Sequence, residues 1–326
     1  MRVDSIMSNY GFFNYMSMNS QSSLFKNGKV LTRRDIDGSD AGSVGLDLEK
    51  YEMKVTNVRD SLNIKSISLD KQGFELFPSK INNLEIDFFN NKQVVDIYYY
   101  HCAELIKEIT GAKSVFAFDH NIRSASGKKS KKIIKGGQQV QGPAHLVHGD
   151  YTLTSAPERF RQLSKPPGKN DTLRSVLGES NSLLSSDVIS ETLSNGRFAI
   201  INLWRNIVID PVEINPLALC DASTISPQDL VVFEIHYADR IGENYFAKHN
   251  LKHKWYYYDK ITRDEALLIK QWDSAGALAR TNGEASDNEF SDSPCTFSFH
   301  SAFEDPNTRK EAPDRWSMEV RCIIIY

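Results

Sequence analysis

Hydrophobic residues recur along this chain with two different periods. From Val94 to Thr110, the positions Val94, Ile97, Tyr98, Cys102, Leu105, Ile106 and Ile109 fall at helical spacing, which predicts a helix with one buried face. Gly111 stands where a terminating glycine belongs. Ser114 to Asp119 then alternates as a strand. A short helix is expected over 156–164 and a Ser-rich helical connection over 173–194. From Phe198 the pattern turns β-rich: 198–204, 231–237, 254–258, 296–300 and 316–326 all read as strands. One helix is expected among them. Thr262 and Glu265 have the spacing of a capping box ahead of Ala266-Leu-Leu-Ile-Lys-Gln-Trp272. Many short strands joined by loops predict an antiparallel sandwich or jelly roll.

The N-terminal part is less regular. Met7 to Met18 is aromatic enough to pack on something but has no clear period, and 35–45 reads as a loop. Ile64 to Leu69 is a strand-like piece. Ser124 to Gly137 is basic and rich in Ser and Gly. It reads as a mobile loop, either merely solvated or a lid that carries Arg or Lys to an anionic substrate.

Composition narrows the class. The 326 residues are 40% hydrophobic and 25% charged, the balance of a soluble globular protein. A net charge of −3 argues against a nucleic-acid binder held mainly by electrostatics. No window approaches 18 continuous apolar residues and no signal-peptide pattern is seen, so no membrane span is expected and the cytoplasm is the expected compartment. The four cysteines include no C-x-x-C pair, so neither a zinc knuckle nor a disulfide framework is indicated.

The candidate chemistry lies at His148 and Asp150. On a strand, residues at i and i+2 share a face, so this pair can bind one ion from the same side. With His300 from a distant segment they form the two-histidine, one-carboxylate set of a mononuclear iron(II) oxygenase. Three positions of an octahedral metal are left for dioxygen and a chelating co-substrate. With eight histidines in the chain, an H-x-D pair alone is a weak signal; the last strand supplies independent support. Alternation puts Arg315, Ser317, Glu319 and Arg321 on one face. If that face points inward, Arg315 can pair bidentately with the far carboxylate of 2-oxoglutarate while Ser317 donates to the same group. Arg321 can reach the metal-proximal carboxylate or hold Asp150, and Glu319 can neutralise one arginine. If it points outward, it is an ordinary solvated strand face.

The remaining histidines carry less. His249 and His253 have i,i+4 spacing, but the adjoining aromatic run favours a strand over a metal-binding helix. His145 points away from His148. His101, His120 and His236 read as structural. No phosphate-binding glycine loop, nucleophile elbow or H-E-x-x-H is present.

Several segments together resemble the CmcJ/AsaB-like (CmcJ/NvfI) oxidoreductases, a branch of the non-haem iron(II)/2-oxoglutarate oxygenases of natural-product pathways. They include Phe118-Asp-His-Asn-Ile-Arg123, Val147-His-Gly-Asp-Tyr-Thr152, Asn202-Leu-Trp-Arg205, Pro216-Leu-Ala-Leu-Cys-Asp221 and His300-Ser-Ala-Phe-Glu-Asp-Pro306. The likeness covers 64–326, leaving 1–63 as an N-terminal extension packing on the core. It implies a mainly β fold with flanking helices, the double-stranded β-helix (jelly roll, cupin-like). It also implies iron(II) at His148, Asp150 and His300, with 2-oxoglutarate and dioxygen as co-substrates. The reaction implied is hydroxylation, desaturation or oxidative cyclisation at an unactivated C–H bond of a small natural-product or amino-acid-like substrate. Arg315-x-Ser317 matches the superfamily's co-substrate anchor, and Arg315 with Arg321 is similar to the double-arginine strand of the nucleic-acid demethylase branch. Arg123, Asn202, Trp204 and Arg205 are the substrate-side candidates. Parity puts Asn202 and Trp204 on one strand face and Arg205 on the other, so all three cannot line one cavity. Two rivals stay open: a zinc or manganese hydrolase or isomerase on the same three ligands, and a non-catalytic jelly-roll binding protein. A homodimer is compatible with the sequence, as is a monomer.

Overall fold

The structure is a computed structural model that describes residues 9–34, 40–60, 67–81, 84–169, 171–237, 240–288 and 292–326. Two sheets make up its core. The larger has ten strands, in the order Asn9–Met16, Leu48–Asn57, Trp255–Tyr257, Leu217–Cys220, His300–Ala302, His148–Gly149, Ile241–Ala247, Leu230–His236, Leu31–Arg34 and Asp40–Val44. The smaller has five, in the order Phe74–Pro78, Glu265–Asp273, Phe198–Asn206, Ser317–Ile325 and Ser114–Arg123. The smaller sheet is antiparallel throughout. The larger contains two parallel pairs, one on each flank.

The sheets face each other. Phe74, Trp204, Leu267 and Ile269 of the smaller sheet pack into one cluster with Leu217 and Leu219 of the larger. This is the jelly-roll arrangement that the strand pattern predicts. The opposite face of the smaller sheet is covered by helices: Ala199, Ile201, Leu203 and Val320 pack with Tyr98, Cys102, Ile106, Phe160 and Ile189. Hence every residue of Phe198–Asn206 is buried, and the segment is apolar on both faces except where a polar side chain has a fixed partner.

The main helix runs over 91–110, starting ahead of the expected 94–110, with a π turn at Val94–Tyr98 closed by the Tyr99 N–H on the Val94 carbonyl. It buries Val94, Tyr98, Tyr99, Cys102 and Ile106. Gly111 ends it at φ 65°, its N–H donating to the Lys107 carbonyl, a left-handed position that suits glycine.

Several expectations need correction. Ala266–Trp272 is not a helix but most of the Glu265–Asp273 strand. Leu267 and Ile269 face the larger sheet while Ala266 and Leu268 face the helices. A strand buried on both faces is a continuous apolar run, which a helix fits equally well. The capping-box contacts do form, since Glu265 Oε2 accepts from Thr262 N at 2.8 Å and Thr262 Oγ1 at 3.0 Å. They close a turn that leads into a strand. Of the predicted 64–69 strand, 64–66 lie outside the described residues and 67–69 form no strand. Of the predicted 35–45 loop, 35–39 lie outside the described residues, whereas Asp40–Val44 pairs with Leu31–Arg34 as a hairpin. In 296–300, only His300 is in a strand. The basic 124–137 segment contains a short helix, Ala125–Lys129, whose N-cap Ser124 accepts from Gly127 N. Asp314 anchors it through Ser124 Oγ (2.5 Å) and Ser126 N (3.3 Å). Residues before 64 contribute four strands to the large sheet, and Phe13, Tyr15 and Met16 of the first are buried.

Candidate metal centre

His300 stands directly opposite His148 across an antiparallel pair. Residues so placed share a face, and here the two rings meet with centroids 4.2 Å apart. Asp150 follows on the same face. Its Oδ1 lies 3.7 Å from His148 Nε2 and 4.0 Å from His300 Nε2. Two atoms each about 2.1 Å from one ion can be at most about 4.2 Å apart, and both separations fall inside that limit. Among the described residues this is the single cluster of three or more His, Cys, Asp or Glu side chains within metal-binding reach.

Each donor is oriented by a partner. His148 Nδ1 donates to the Leu146 carbonyl at 2.7 Å, so its Nε2 keeps the lone pair. His300 donates to the Ser298 carbonyl and has Gln271 Nε2 3.4 Å from its Nδ1. Gln271 Oε1 accepts the backbone N–H of Asp150 at 3.0 Å, so one buried amide touches both ligand-bearing segments. Asp150 Oδ2 accepts from Asn202 Nδ2 at 2.8 Å and Arg321 Nε at 3.3 Å, which leaves Oδ1 facing the two imidazoles.

The electrostatics suit a cation. Burial, and then the neighbouring His300, holds His148 down to about 4; burial also lowers His300. Both rings are neutral near pH 7, as a ligand must be. For Asp150, burial pushes the carboxyl up, but Arg321 and the two histidines outweigh it, and the group sits below the ordinary carboxylate range. Arg321 is in turn held by Asp119 at 3.0 Å and Glu319 at 3.4 Å.

Arg315 precedes its strand, is buried, and donates from Nη1 to the Asn215 carbonyl. Its guanidinium carbon lies 5.8 Å from the Trp204 ring centre. Burial, with Arg123 nearby, pushes it down to about 9. Arg315 Nε and Ser317 Oγ, both buried, have no hydrogen-bond partner among the described residues. A buried guanidinium and hydroxyl with unspent donors fit a carboxylate guest. Two imidazole nitrogens and a carboxylate oxygen with open positions likewise fit iron(II).

The substrate-side candidates separate. Arg123 lines a cavity of about 550 Å3 together with His148, Asp150 and Arg321, and its Nη1 donates to the Gly142 carbonyl at 3.0 Å. Asn202 holds Asp150. Trp204 packs between the sheets beneath Arg315. Arg205 is on the helix-covered face, as parity predicts. Its guanidinium bonds Tyr98 Oη, the Ser79 and Arg263 carbonyls and Ser79 Oγ, each at 2.7 Å. It is a structural clamp remote from the cavity. Gln271, Phe233 and Phe246 join the site without a signal in the motifs. Gln271 is hidden by the helical reading of its segment; strand parity would put it on the inner face. Of the other histidines, His253 bonds Tyr15 Oη and Asp229, and His120 bonds Tyr99 Oη.

A family model described as an oxidoreductase/YMDC permease-like domain matches residues 13–325. The chain belongs to that family. Among the described residues no helix is long and apolar enough to cross a membrane. The hydroxylase/desaturase efuI of Hormonema carpetanum is 29% identical over 303 residues, covering 87% of this chain and 88% of that one. The Fe(II)/2-oxoglutarate-dependent dioxygenase nvfI of Aspergillus novofumigatus is 29% identical over 268 residues, 82% of this chain and 79% of that one. Of solved structures, the iron and alpha-ketoglutarate-dependent endoperoxidase NvfI superposes with a TM-score of 0.67 at 22% identity, over 97% of each chain, which shows a common fold. The family resemblance read from the sequence is borne out.

Proposed function

We propose that this protein is an iron(II)- and 2-oxoglutarate-dependent oxygenase that oxidises an unactivated C–H bond of a small natural-product or amino-acid-like molecule. The observation that carries the reading is the His148, Asp150 and His300 triangle, with each donor turned inward by a fixed partner. Relatives named as hydroxylase/desaturase and as Fe(II)/2-oxoglutarate-dependent dioxygenase support it. Iron(II), when bound, would supply two-electron oxidation by dioxygen coupled to decarboxylation of 2-oxoglutarate to succinate.

The chain's own residues prepare that chemistry. His148 and His300 present neutral Nε2 atoms. Asn202 and Arg321 hold one oxygen of Asp150 and keep the carboxylate ionised. Arg315 receives the far carboxylate of 2-oxoglutarate through its unspent Nε–H, with the Ser317 hydroxyl donating to the same group. Glu319 turns its carboxylate to Arg321, and it acts on Arg315, like Asp314, only through the electrostatic field. Phe233 and Phe246 close one side of the cavity against water.

The direct test is succinate formation from 2-oxoglutarate in the presence of iron(II) and dioxygen. Asp150→Ala is expected to abolish it while the far-ultraviolet circular dichroism stays that of the parent. A fully active, iron-dependent Asp150→Ala protein would sink the assignment.

A further inference from the structure

The cavity beside His148 has two unlike walls. On one, the Phe246 ring stands edge-on to His148 at 6.4 Å and stacks on Phe233 at 4.2 Å. Leu146 and Ile235 extend this apolar surface. Asn244, opposite Phe233 across the strand pair, adds a side-chain amide to the same wall.

The other wall is cationic. Arg123 ends the Ser114–Arg123 strand and holds the Gly142 carbonyl. Lys128, on the short helix that follows, lays its stem over the same glycine; a methyl placed at Gly142 would meet Lys128 Cγ at 3.8 Å. Lys26 also lines the cavity, from a segment tied to the strands of Phe233 and Phe246 by the Gly28 N–H on Glu234 and by Tyr245 Oη on the Leu24 carbonyl.

Three other cations that line the cavity are already paired. Arg159 and Arg240 are both held by Asp171, each at 3.0 Å. Arg321 is held by Asp150 and Asp119. Among the acids, Glu158 meets Arg161 at 3.8 Å and Glu243 accepts from Thr152 at 2.9 Å. Lys26 and Lys128 line the cavity exposed, and among the described residues neither has a carboxylate within ion-pair distance. Positive charge at the mouth of a cavity with an apolar floor attracts an anion attached to an apolar body.

We infer that the cavity takes a flat, apolar carboxylic acid, its ring system on the Phe233–Phe246 pair beside His148 and its carboxylate at the mouth against Lys128 and Lys26. Calling this molecule the substrate rests on the oxygenase reading; its binding does not. A 550 Å3 cavity suits a ligand of drug-like size. The basic segment is then the wall that recognises the anion, and its anchoring by Asp314 holds that wall in place before the ligand arrives.

The test is calorimetric titration of the full-length protein with 2-naphthylacetate and with the neutral 2-naphthylacetamide, at low salt, with and without zinc(II). The acid is expected to bind about tenfold more tightly than the amide, one charge-assisted contact's worth. In the double variant Lys26→Gln/Lys128→Gln that preference should fall below about twofold. Both side chains are exposed, so the fold is not at risk. Phe233→Ala should weaken acid and amide alike, by about tenfold. Equal affinity of acid and amide for the parent, a preference unchanged in the double variant, or binding of neither probe would each overturn the inference. None of these titrations needs iron, 2-oxoglutarate or turnover. A failed oxygenase assay with selective acid binding would therefore discard the reaction and keep the ligand class, and the reverse result would do the opposite.

Discussion

Gln271→Leu is the substitution whose consequence the geometry defines most tightly. The Gln271 side chain is fully buried. Its Oε1 accepts the Asp150 N–H at 3.0 Å, and its Nε2 lies 3.4 Å from His300 Nδ1. Leucine keeps the volume and removes both polar contacts. The Asp150 N–H is then a buried donor without an acceptor, which costs about 1–3 kcal/mol of folding free energy. The cost to metal binding is separate. With its backbone no longer fixed, Asp150 loses part of the alignment that puts Oδ1 3.7 Å from His148 Nε2 and 4.0 Å from His300 Nε2. Removing a partner that orients a metal ligand typically weakens metal affinity by about 10–100-fold. Chelator competition with iron(II) or cobalt(II) under argon measures that affinity, and denaturant unfolding of the metal-free protein measures stability. An affinity within about twofold of the parent, in a protein that has lost the expected stability, would refute the reasoning: Gln271 would then be a packing residue only.

Two further perturbations separate scaffold from site. Arg205→Met removes four hydrogen bonds of 2.7 Å and strands the Ser79 and Arg263 carbonyls. It should cost about 3 kcal/mol or more in urea unfolding and leave iron affinity unchanged. The buried His120 ring, against Tyr99 Oη at 2.8 Å, is held by burial at about 4 from an ordinary 6.5. Between those pH values the unfolded chain binds a proton that the folded chain refuses, so stability rises with pH across that window, by about 3 kcal/mol from this group. His120→Gln should remove that part of the slope, as read by unfolding at a series of pH values; an unchanged slope would mean that the ring already titrates in the fold.

How much of this is legible in the sequence depends on whether a segment's surroundings leave a mark on its own pattern. The helix over 91–110 has one face on the core and one in solvent, so its period and its Gly111 cap can be read directly. Glu265–Asp273 is covered on both faces, which erases alternation and lets the Thr262/Glu265 contacts pass for a helix start. Gln271 is lost with it. His148 and Asp150 can be paired from spacing alone, because a strand repeats every two residues. That His300 stands opposite His148 is a matter of sheet register between segments 152 positions apart, which no local pattern encodes. The inward face of Arg315, Ser317, Glu319 and Arg321 is half legible. Alternation gives the common face, and the opposing sheet decides its direction. The division of labour between the arginines, with Arg321 on Asp150 and Arg315 toward Asn215, follows from the register of Ser317–Ile325 against Phe198–Asn206. For Arg205, strand parity alone is enough to exclude it from the face on which Asn202 holds Asp150.

In the proposed function the His148, Asp150 and His300 triangle holds iron(II) and Arg315 anchors 2-oxoglutarate beside it. Its most direct measurement is the visible charge-transfer absorption that forms when 2-oxoglutarate is added to the anaerobic, iron(II)-loaded protein, compared between the parent and Arg315→Ala. The parent is expected to show a weak visible band, and Arg315→Ala a band that appears only at 2-oxoglutarate concentrations at least about tenfold higher, the loss expected for a buried charge-assisted pair. No band in a parent protein shown to contain iron, or identical titrations for the two proteins, would contradict it.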